Sequence, residues 1–296
     1  MNHITLLIIS MAAYLGGSIL RKHICNRYEN GMNTQYLYNI IVSLASAVTL
    51  LLMSDISTVS SFTVLLALAF GLVTFLQQIT NLQALEVGPL SYTTVIISLS
   101  TLIPALSGVL FWHETLSTGK IVGILLMVVC FVLSVDFKEK GNSVNRKWLI
   151  SCGIAFVCTG LIGVMQKWHQ SSPYKEELDV FLVISFAFSF ASSLVMWTIF
   201  RRKNKEEKAE DGKQSITALL PLFFMVISGI CVALNNKLNL FLSGTMDSAV
   251  FFPIVNGGGI ALTLISSIII FRERLAKQQW VGILFGVASI LLLCCC

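Results

Sequence analysis

The chain contains one short pattern twice, and both copies lie between long apolar runs. The first copy, HETLSTGKIVGILL, begins at His113, and the second, RERLAKQQWVGILF, begins at Arg272. The same offset relates Glu114 to Glu273 and Gly123 to Gly282. An internal duplication in a hydrophobic chain is typical of transporter folds, in which a central site lies between two related halves.

Composition indicates that lipid is the main solvent of this chain. Of the 296 residues, 55% are hydrophobic and only 12% are charged, and the mean hydropathy is +0.82. A soluble domain carries roughly 25% charged residues, so this chain cannot cover a water-facing surface with charge. We expect the lipid bilayer, and not a nucleic acid, to be the partner of this protein.

Ten apolar runs approach the length of about 20 residues that crosses a bilayer. They lie at approximately 4–20, 36–53, 61–83, 89–111, 118–135, 147–167, 179–200, 216–242, 247–271 and 277–294. Five runs per half make the second half enter the membrane from the opposite side. The sequence therefore predicts an all-α integral membrane protein whose ten transmembrane helices form two inverted five-helix repeats, residues 1–140 and 141–296.

The Lys and Arg residues predict the orientation of these spans. Sixteen of the twenty lie in or beside the odd-numbered loops, and the remaining four flank even-numbered loops. Those four are Lys120, Lys167, Lys175 and Lys237. Because Lys and Arg near span ends stay in the cytoplasm, both termini are predicted to lie outside, in a multi-pass protein of the cytoplasmic membrane.

The repeated turn resembles a known family. Its Glu-x-Leu sequence, followed in both copies by a helix that opens Val-Gly-Ile-Leu, is similar to the drug/metabolite transporter superfamily, specifically its EamA-like ten-helix branch. The resemblance covers essentially the whole chain and both five-helix repeats. It implies a secondary carrier of amino acids or related metabolites, with export more usual than import. Many relatives place their termini in the cytoplasm, whereas the charges of this chain predict the opposite.

Amide side chains recur at equivalent positions inside two spans. Span three contains Gln77, Gln78 and Asn81, and span eight contains Asn236 and Lys237. The offset between the two turns makes Gln77 correspond to Asn236 and Gln78 to Lys237. Polar groups inside spans tend to face a cavity, so these five residues are predicted to bind the substrate. The alternative is that the amides only make hydrogen bonds between helices, at about 1 kcal/mol each.

Lys237 and the glycines at 257–259 have two interpretations each. The Lys237 ammonium either pairs with a carboxylate or phosphate of the substrate, or extends to the lipid headgroups. Tyr92 and Asn256 are weaker candidates for the same cavity. The glycines at 257–259 either allow close helix packing or expose carbonyls to a ligand. Pro104 frees one backbone carbonyl and predicts a bend in span four.

Two GxxxG pairs begin spans five and ten: Gly119 with Gly123, and Gly282 with Gly286. They predict close packing of these spans, either within one molecule or at a dimer contact. Monomer and homodimer both remain open at this point.

The chemistry that the sequence lacks narrows the choice of function. No Asp or Glu lies deep in a span, and neither a nucleotide-binding loop nor a metal-ligand spacing occurs. We therefore expect no catalytic residue, no cofactor and no metal. The prediction is a secondary transporter that moves a small polar or amphipathic metabolite by alternating access. The alternatives are a membrane scaffold, an integral-membrane enzyme, or a flippase for a lipid-linked substrate.

Overall fold

The computed structural model of the protein describes residues 3–27, 32–54, 59–87, 90–133, 146–203, 219–269 and 277–295. Within these ranges the chain forms eleven α-helices, one short 3-10 helix at Lys175–Glu177, and no strand. The α-helices are α1 His3–Arg27, α2 Met32–Leu52, α3 Ser61–Val87, α4 Leu90–Leu99, α5 Leu102–Trp112, α6 Thr118–Leu133, α7 Arg146–Gln170, α8 Leu178–Lys203, α9 Leu219–Thr245, α10 Ser248–Ile269 and α11 Lys277–Cys295.

Six segments of the described residues are helical, long and apolar enough to cross a membrane. They are His3–Arg21, Gln35–Leu52, Ser61–Asn81, Arg146–Gln170, Lys175–Ile199 and Leu219–Thr245. Four shorter apolar helical segments are Ile96–Trp112, Thr118–Leu133, Ser248–Leu262 and Lys277–Leu293. The chain is therefore an all-α, multi-pass membrane protein, as predicted. Each predicted apolar run coincides with one of these helices for most of its described length, and the fourth run is divided between α4 and α5.

The chain forms two compact units. The first comprises Met1–Phe75 and Pro173–Asn239, and the second comprises Leu76–Ser172 and Leu240–Cys296. Each unit combines segments from both predicted halves of the sequence. The helices α3 and α9 each begin in the first unit and end in the second.

Glycines let the helices of the first unit approach one another closely. A Cβ added at Gly71 of α3 would lie 3.0 Å from the carbonyl oxygen of Ser185 in α8. A Cβ added at Gly229 of α9 would lie 2.9 Å from the carbonyl oxygen of Val42 in α2. The Ser46 hydroxyl donates to the Gly229 carbonyl over 2.8 Å. Small residues and hydroxyl-to-backbone hydrogen bonds thus hold these membrane helices together.

The GxxxG segments join α6 to α11 in the second unit. A Cβ at Gly123 would lie 2.7 Å from the Leu293 side chain, and one at Gly286 would lie 2.8 Å from Cys130 Sγ. The Ser289 hydroxyl also donates to the Gly123 carbonyl over 2.6 Å. The GxxxG pairs were expected to pack either within one molecule or at a dimer contact. The contacts of Gly123 and Gly286 support packing between two helices of one chain.

We predict that Gly229→Ala destabilises the protein, because its Cβ would lie only 2.6 Å from the Cβ of Ala45. Overpacking of this kind costs about 1–3 kcal/mol in the free energy of unfolding. Gly153 of α7 is the matched control, since a Cβ there would meet no atom within 4 Å. Gly153→Ala should leave stability unchanged or raise it by about 0.5–1 kcal/mol. Thermal unfolding of both purified variants tests this packing, and equal stability would contradict it.

Candidate functional site

A break between α4 and α5 interrupts the helix near its middle. Pro104 has no N–H, so the Ser100 carbonyl lacks its usual donor four residues later. Instead, Ile103 N donates to Ser100 O over 3.0 Å, and Thr101 N donates to Ser98 O over 3.3 Å. Both bonds span three residues, as in a 3-10 helix. Where the sequence predicts a bend from Pro104, the structure thus has a helix break with bonds of the 3-10 type at residues 100–101.

A polar pair lies at this break. Asn256 of α10 donates from Nδ2 to the Thr101 hydroxyl oxygen, and that hydroxyl donates to the Phe252 carbonyl over 3.3 Å. Thr101 is buried, whereas Asn256 is exposed. Asn256 follows Ser248, the first residue of α10, by eight positions, which corresponds to about 12 Å along the helix. An exposed amide therefore lies well inside the span.

The glycines that follow Asn256 are buried. Residues 257–259 all face the interior of the protein, and a Cβ at Gly257 would overlap the Met127 side chain of α6. Of the two interpretations of these glycines, the structure therefore supports close helix packing.

Serine and asparagine side chains join α1 to α9 in the first unit. The fully buried Ser10 hydroxyl lies 2.5 Å from Asn239 Oδ1 and 2.9 Å from Asn235 Oδ1. Asn239 Nδ2 donates to Asn235 Oδ1 over 3.1 Å. The predicted site residue Asn236 is half-buried, and its Nδ2 donates to the Val232 carbonyl of its own helix over 2.9 Å. Asn235 and Asn239 of α9 thus make hydrogen bonds that join this helix to α1.

The Lys237 ammonium pairs with Asp179 at the start of α8. Lys237 Nζ lies 2.8 Å from Asp179 Oδ1 and 3.0 Å from Oδ2. The two side chains are 26% and 22% exposed. The carboxylate that accompanies this cation is therefore supplied by the protein, an arrangement that neither sequence interpretation included.

The amides of α3 lie in the second unit. Gln77, Gln78 and Asn81 are all half-buried. Gln78 Oε1 is buried, and no hydrogen-bond donor reaches it among the described residues. The second unit thus contains these three residues and Asn256, whereas Asn236 and Lys237 belong to the first. The side chain of Tyr92 lies outside the described part of the chain.

The repeated turn contains a buried ion pair that sequence reasoning missed. Glu114 Oε1 lies 2.7 Å from Lys167 Nζ of α7, and the side chains are 7% and 9% exposed. Glu114 Oε2 also accepts the Ser248 N–H over 2.7 Å, at the first residue of α10. A carboxylate at a helix N-terminus stabilises the unpaired N–H groups there. Gly108 provides the space, because a Cβ there would overlap the Glu114 carboxylate.

A second ion pair lies beside the same turn. Lys120 Nζ lies 2.5 Å from Asp247 Oδ2, and the Lys120 side chain is buried while Asp247 is exposed. The same ammonium donates to the Thr115 carbonyl over 3.0 Å. In the sequence, only the repetition of the Glu-x-Leu turn had pointed to this region. Glu273, which corresponds to Glu114 in the second copy of the turn, lies outside the described residues.

Another glutamate binds a helix start in the first unit. Both Glu177 carboxylate oxygens lie within 3.2 Å of the Ser60 backbone nitrogen, and Oε2 accepts the Ser60 hydroxyl over 2.7 Å. Ser60 precedes α3, and its hydroxyl oxygen accepts the Thr63 N–H over 3.2 Å, as an N-cap does. The rings of Phe62 and Tyr174 stack at 5.7 Å beside this contact.

The described residues contain no group of three His, Cys, Asp or Glu side chains that could hold a metal ion. In the second unit, the described residues present neutral hydrogen-bonding groups on α3, α10 and the α4–α5 break. Such groups can orient a polar molecule by hydrogen bonds.

Comparison with known proteins adds three similarities. The family described as bacteriorhodopsin-like protein matches residues 121–252, which is less than half of the chain. An uncharacterized protein of Haemophilus influenzae (strain ATCC 51907 / DSM 11121 / KW20 / Rd) is 25% identical over 199 residues. That alignment covers 65% of this chain and 62% of the relative, so this chain spans less than two thirds of that protein.

The third similarity is structural. A crystal structure described only as that of a protein superposes with a TM-score of 0.75 over 98% of both chains, at 13% sequence identity. This likeness shows a shared fold alone.

We predict that Glu114→Gln leaves the Lys167 ammonium buried without its partner. Breaking one side of a buried pair costs about 3–5 kcal/mol in the free energy of unfolding. Adding Lys167→Met should restore part of that loss, because no charge is then left unpaired. Glu176→Gln is the control, since Glu176 is exposed. Thermal unfolding of the four proteins checks this, and a double variant no more stable than Glu114→Gln would contradict it.

Proposed function

We propose that this chain is a secondary transporter of the drug/metabolite transporter type, which moves a small polar or amphipathic metabolite by alternating access. The observation that carries the proposal is the exposed amide of Asn256, bonded to Thr101 at the break between α4 and α5. Amino acids and related compounds are the favoured class of substrate, and export is favoured over import. The protein has no enzymatic role in this account.

The position of Asn256 supports a water-filled cavity. Hydrocarbon offers no hydrogen-bond partner, so an exposed amide at membrane depth is stable only where it meets water, protein or a ligand. Helix breaks at mid-membrane depth are a recurring feature of transporter binding sites. The break at residues 100–101 lies about midway between Leu90 and Trp112. Asn256 and Thr101 therefore form the centre of the proposed site.

Helix lengths support ten spans in two related halves, with α4 and α5 forming one broken span. The first helix of each proposed half, α1 and α7, has 25 residues. The third helix of each, α3 and α9, has 27 residues. The helices α1 and α3 precede the proposed boundary near residue 140, and α7 and α9 follow it.

Glycine contacts support an inverted relation between the halves. Gly71 of α3 meets Ser185 and Phe188 of α8, and Gly229 of α9 meets Val42 and Ala45 of α2. The same offset along the chain relates Val42 to Ser185 and Ala45 to Phe188, so the same contact is made twice with the halves exchanged. The offset between the two glycines is larger, because α8 and the segment that follows it are together longer than α2 and the segment between α2 and α3.

The offset between Gly71 and Gly229 changes which amides of α3 and α9 correspond to one another in the two halves. The offset from Gly71 to Gly229 is one position shorter than the offset between the two turns. Gln77 then corresponds to Asn235, Gln78 to Asn236, and Asn81 to Asn239. The three amides of α3 that were predicted to bind substrate thereby gain an amide counterpart, whereas Lys237 has none. We accordingly assign substrate recognition to the amides, with Lys237 structural in its pair with Asp179.

The distribution of Lys and Arg supports the proposed orientation, with both termini outside the cytoplasmic membrane. Sixteen of these twenty residues lie beside the odd-numbered loops, and Lys and Arg near span ends hold a loop in the cytoplasm.

A flippase for a lipid-linked substrate is a second candidate, favoured by one feature of the second unit. An apolar cleft of about 390 Å³ lies between α5 and α7, lined by Phe111, Trp112, Val164 and Trp168. Phe111 and Trp168 are both more than half exposed, so the cleft is open to surrounding lipid. A cleft of this kind could hold the apolar chain of an amphiphile while its polar group reached the amides.

We predict that a transported metabolite raises the thermal stability of the purified protein and that Asn256→Ala removes this effect. A ligand at a hundred times its dissociation constant stabilises by about 2.7 kcal/mol. Leu284→Ala is the control, because Leu284 is an apolar α11 residue that is 68% exposed. A thermal screen against a metabolite panel is the measurement. Stabilisation that persists in Asn256→Ala would overturn the site, and stabilisation only by lipid-linked compounds would favour the flippase.

A further inference from the structure

Thr101 and Asn256 form a hydrogen-bonded pair in which the available hydrogens fix the orientation of the amide. The Thr101 hydroxyl has one hydrogen, which it donates to the Phe252 carbonyl oxygen over 3.3 Å. Towards Asn256 the same hydroxyl oxygen can therefore only accept, and it accepts from Nδ2. The reverse orientation of the amide would place Asn256 Oδ1 against an oxygen with no hydrogen left to donate. Thr101 thus anchors the nitrogen of this amide.

This anchoring leaves mainly the carbonyl oxygen of Asn256 for a ligand. Oδ1 has two acceptor sites, whereas Nδ2 keeps only one N–H once it has bonded Thr101. Asn256 is exposed, and it is the one polar residue of the sequence between Ser248 and Thr263. The glycines at 257–259 that follow it carry no side-chain donor. The exposed amide therefore presents more acceptor sites than donors.

A second amide oxygen of the same compact unit lacks a donor. Gln78 Oε1 on α3 is buried, and no hydrogen-bond donor reaches it among the described residues. Leaving a buried acceptor unpaired is costly, so this oxygen also favours a partner that supplies a hydrogen. Gln78 and Asn256 thus favour the same chemistry in a ligand.

The helices that carry the pair offer no cation to a ligand. Neither residues 90–112 nor residues 248–269 contain a Lys or an Arg. The two buried lysines of this unit already have carboxylate partners, since Lys167 pairs with Glu114 and Lys120 with Asp247. A ligand carboxylate beside Asn256 would therefore meet a carbonyl oxygen and no Lys or Arg of these two segments.

We infer that the site recognises the protonated amine of its substrate, with Asn256 Oδ1 as the acceptor, and does not bind a substrate carboxylate. The inference rests on the proposed function and names the substrate class of that same site. An ammonium group has three N–H donors and no acceptor, and its hydrogen bonds are stronger than those of a neutral donor. A carboxylate only accepts hydrogen bonds, so it would repel Oδ1. Amines and amino-acid amides are accordingly favoured over carboxylic acids.

The test compares compounds that share a side chain and differ in the amine or the carboxylate. The probes are leucine, leucinamide and 4-methylpentanoic acid, together with phenylalanine, phenylalaninamide and 3-phenylpropanoic acid. Their dissociation constants are measured by isothermal titration calorimetry on the purified protein at about pH 6.5, because an α-amino group with its usual pKa of about 7.7–8.0 is then protonated. The comparison of amides with acids needs the wild-type protein alone, so a variant that fails to fold does not remove the test.

Three variants test the atoms that the inference names. They are Asn256→Leu, Asn256→Asp and Thr101→Val. Ser107→Ala is the matched control, because it also removes a buried hydroxyl from α5. The Ser107 hydroxyl donates to the Pro104 carbonyl of its own helix over 2.8 Å and takes no part in the pair.

We expect each amide to bind the wild-type protein at least about tenfold more tightly than the matching acid, as one hydrogen bond to a charged group allows. Asn256→Leu should weaken amide binding roughly ten- to hundredfold for the same reason. Asn256→Asp should strengthen it, because the carboxylate keeps the acceptor and adds a negative charge. Thr101→Val should reduce the preference for amides over acids, since the Asn256 amide can then turn its nitrogen to the ligand. Ser107→Ala should change neither affinity nor preference.

The contrary outcomes separate the inference from the proposed function. Acids that bind as tightly as the amides, and lose affinity in Asn256→Leu, would overturn amine recognition and leave the carrier standing. Affinities that stay unchanged in Asn256→Leu and Thr101→Val would overturn the site. Absence of binding by all six compounds would overturn the proposed class of amino acids and related compounds, and the inference with it.

Discussion

The structure depends on one constraint, which is that hydrocarbon supplies no partner for a polar group. Hydroxyls inside the spans therefore donate to backbone carbonyls, and three of them reach another helix: Ser46 donates to Gly229, Ser185 to Ala67 and Ser289 to Gly123. Each of these bonds needs the two helices to lie close together, and glycine allows that approach on α6 and α9. Small residues and serine hydroxyls thus perform the task that a hydrophobic core performs in water.

The same constraint makes polar groups without a partner inside the protein informative. Asn256 is exposed at a depth where exposure to lipid is costly, and Gln78 Oε1 is buried without a donor among the described residues. Structural polar groups in this protein, such as Ser10 and Lys237, are satisfied by partners of their own. Groups that are exposed at membrane depth or lack a donor are therefore the natural candidates for contact with water or substrate, and the proposed function follows from that difference.

Much of the helical layout could be predicted, because apolar runs report directly on contact with lipid. The disturbance at Pro104 and the close packing of Gly123 and Gly286 also followed from local sequence, since each depends on a backbone property of one residue type. The partners of Glu114 and Lys237 could not be predicted. Asp179 lies 58 residues from Lys237, and carboxylates in turns and at helix ends follow no periodic pattern that would identify their partners.

The register between the two proposed repeats shows the same limit. The turn motif makes Lys237 the counterpart of Gln78, whereas the helix contacts of Gly71 and Gly229 relate α3 to α9 by an offset one position shorter. The offset between the two copies of the turn does not reveal that α3 and α9 are related by an offset one position shorter. The shorter offset nevertheless changes the counterpart of Gln78 to Asn236, and with it the predicted chemistry of recognition. The proposal of a neutral site therefore rests on contacts between helices that the sequence does not contain.

Counterflow in proteoliposomes tests the central claim most directly. Vesicles are loaded with an unlabelled metabolite that stabilises the protein, and the same compound is supplied outside with a radioactive label. A carrier that exposes one site to each face in turn should make the label accumulate inside transiently, above its equilibrium level, and vesicles without protein should show no such peak. If the stabilising compound binds but its label never exceeds equilibrium, the protein is not an alternating-access transporter.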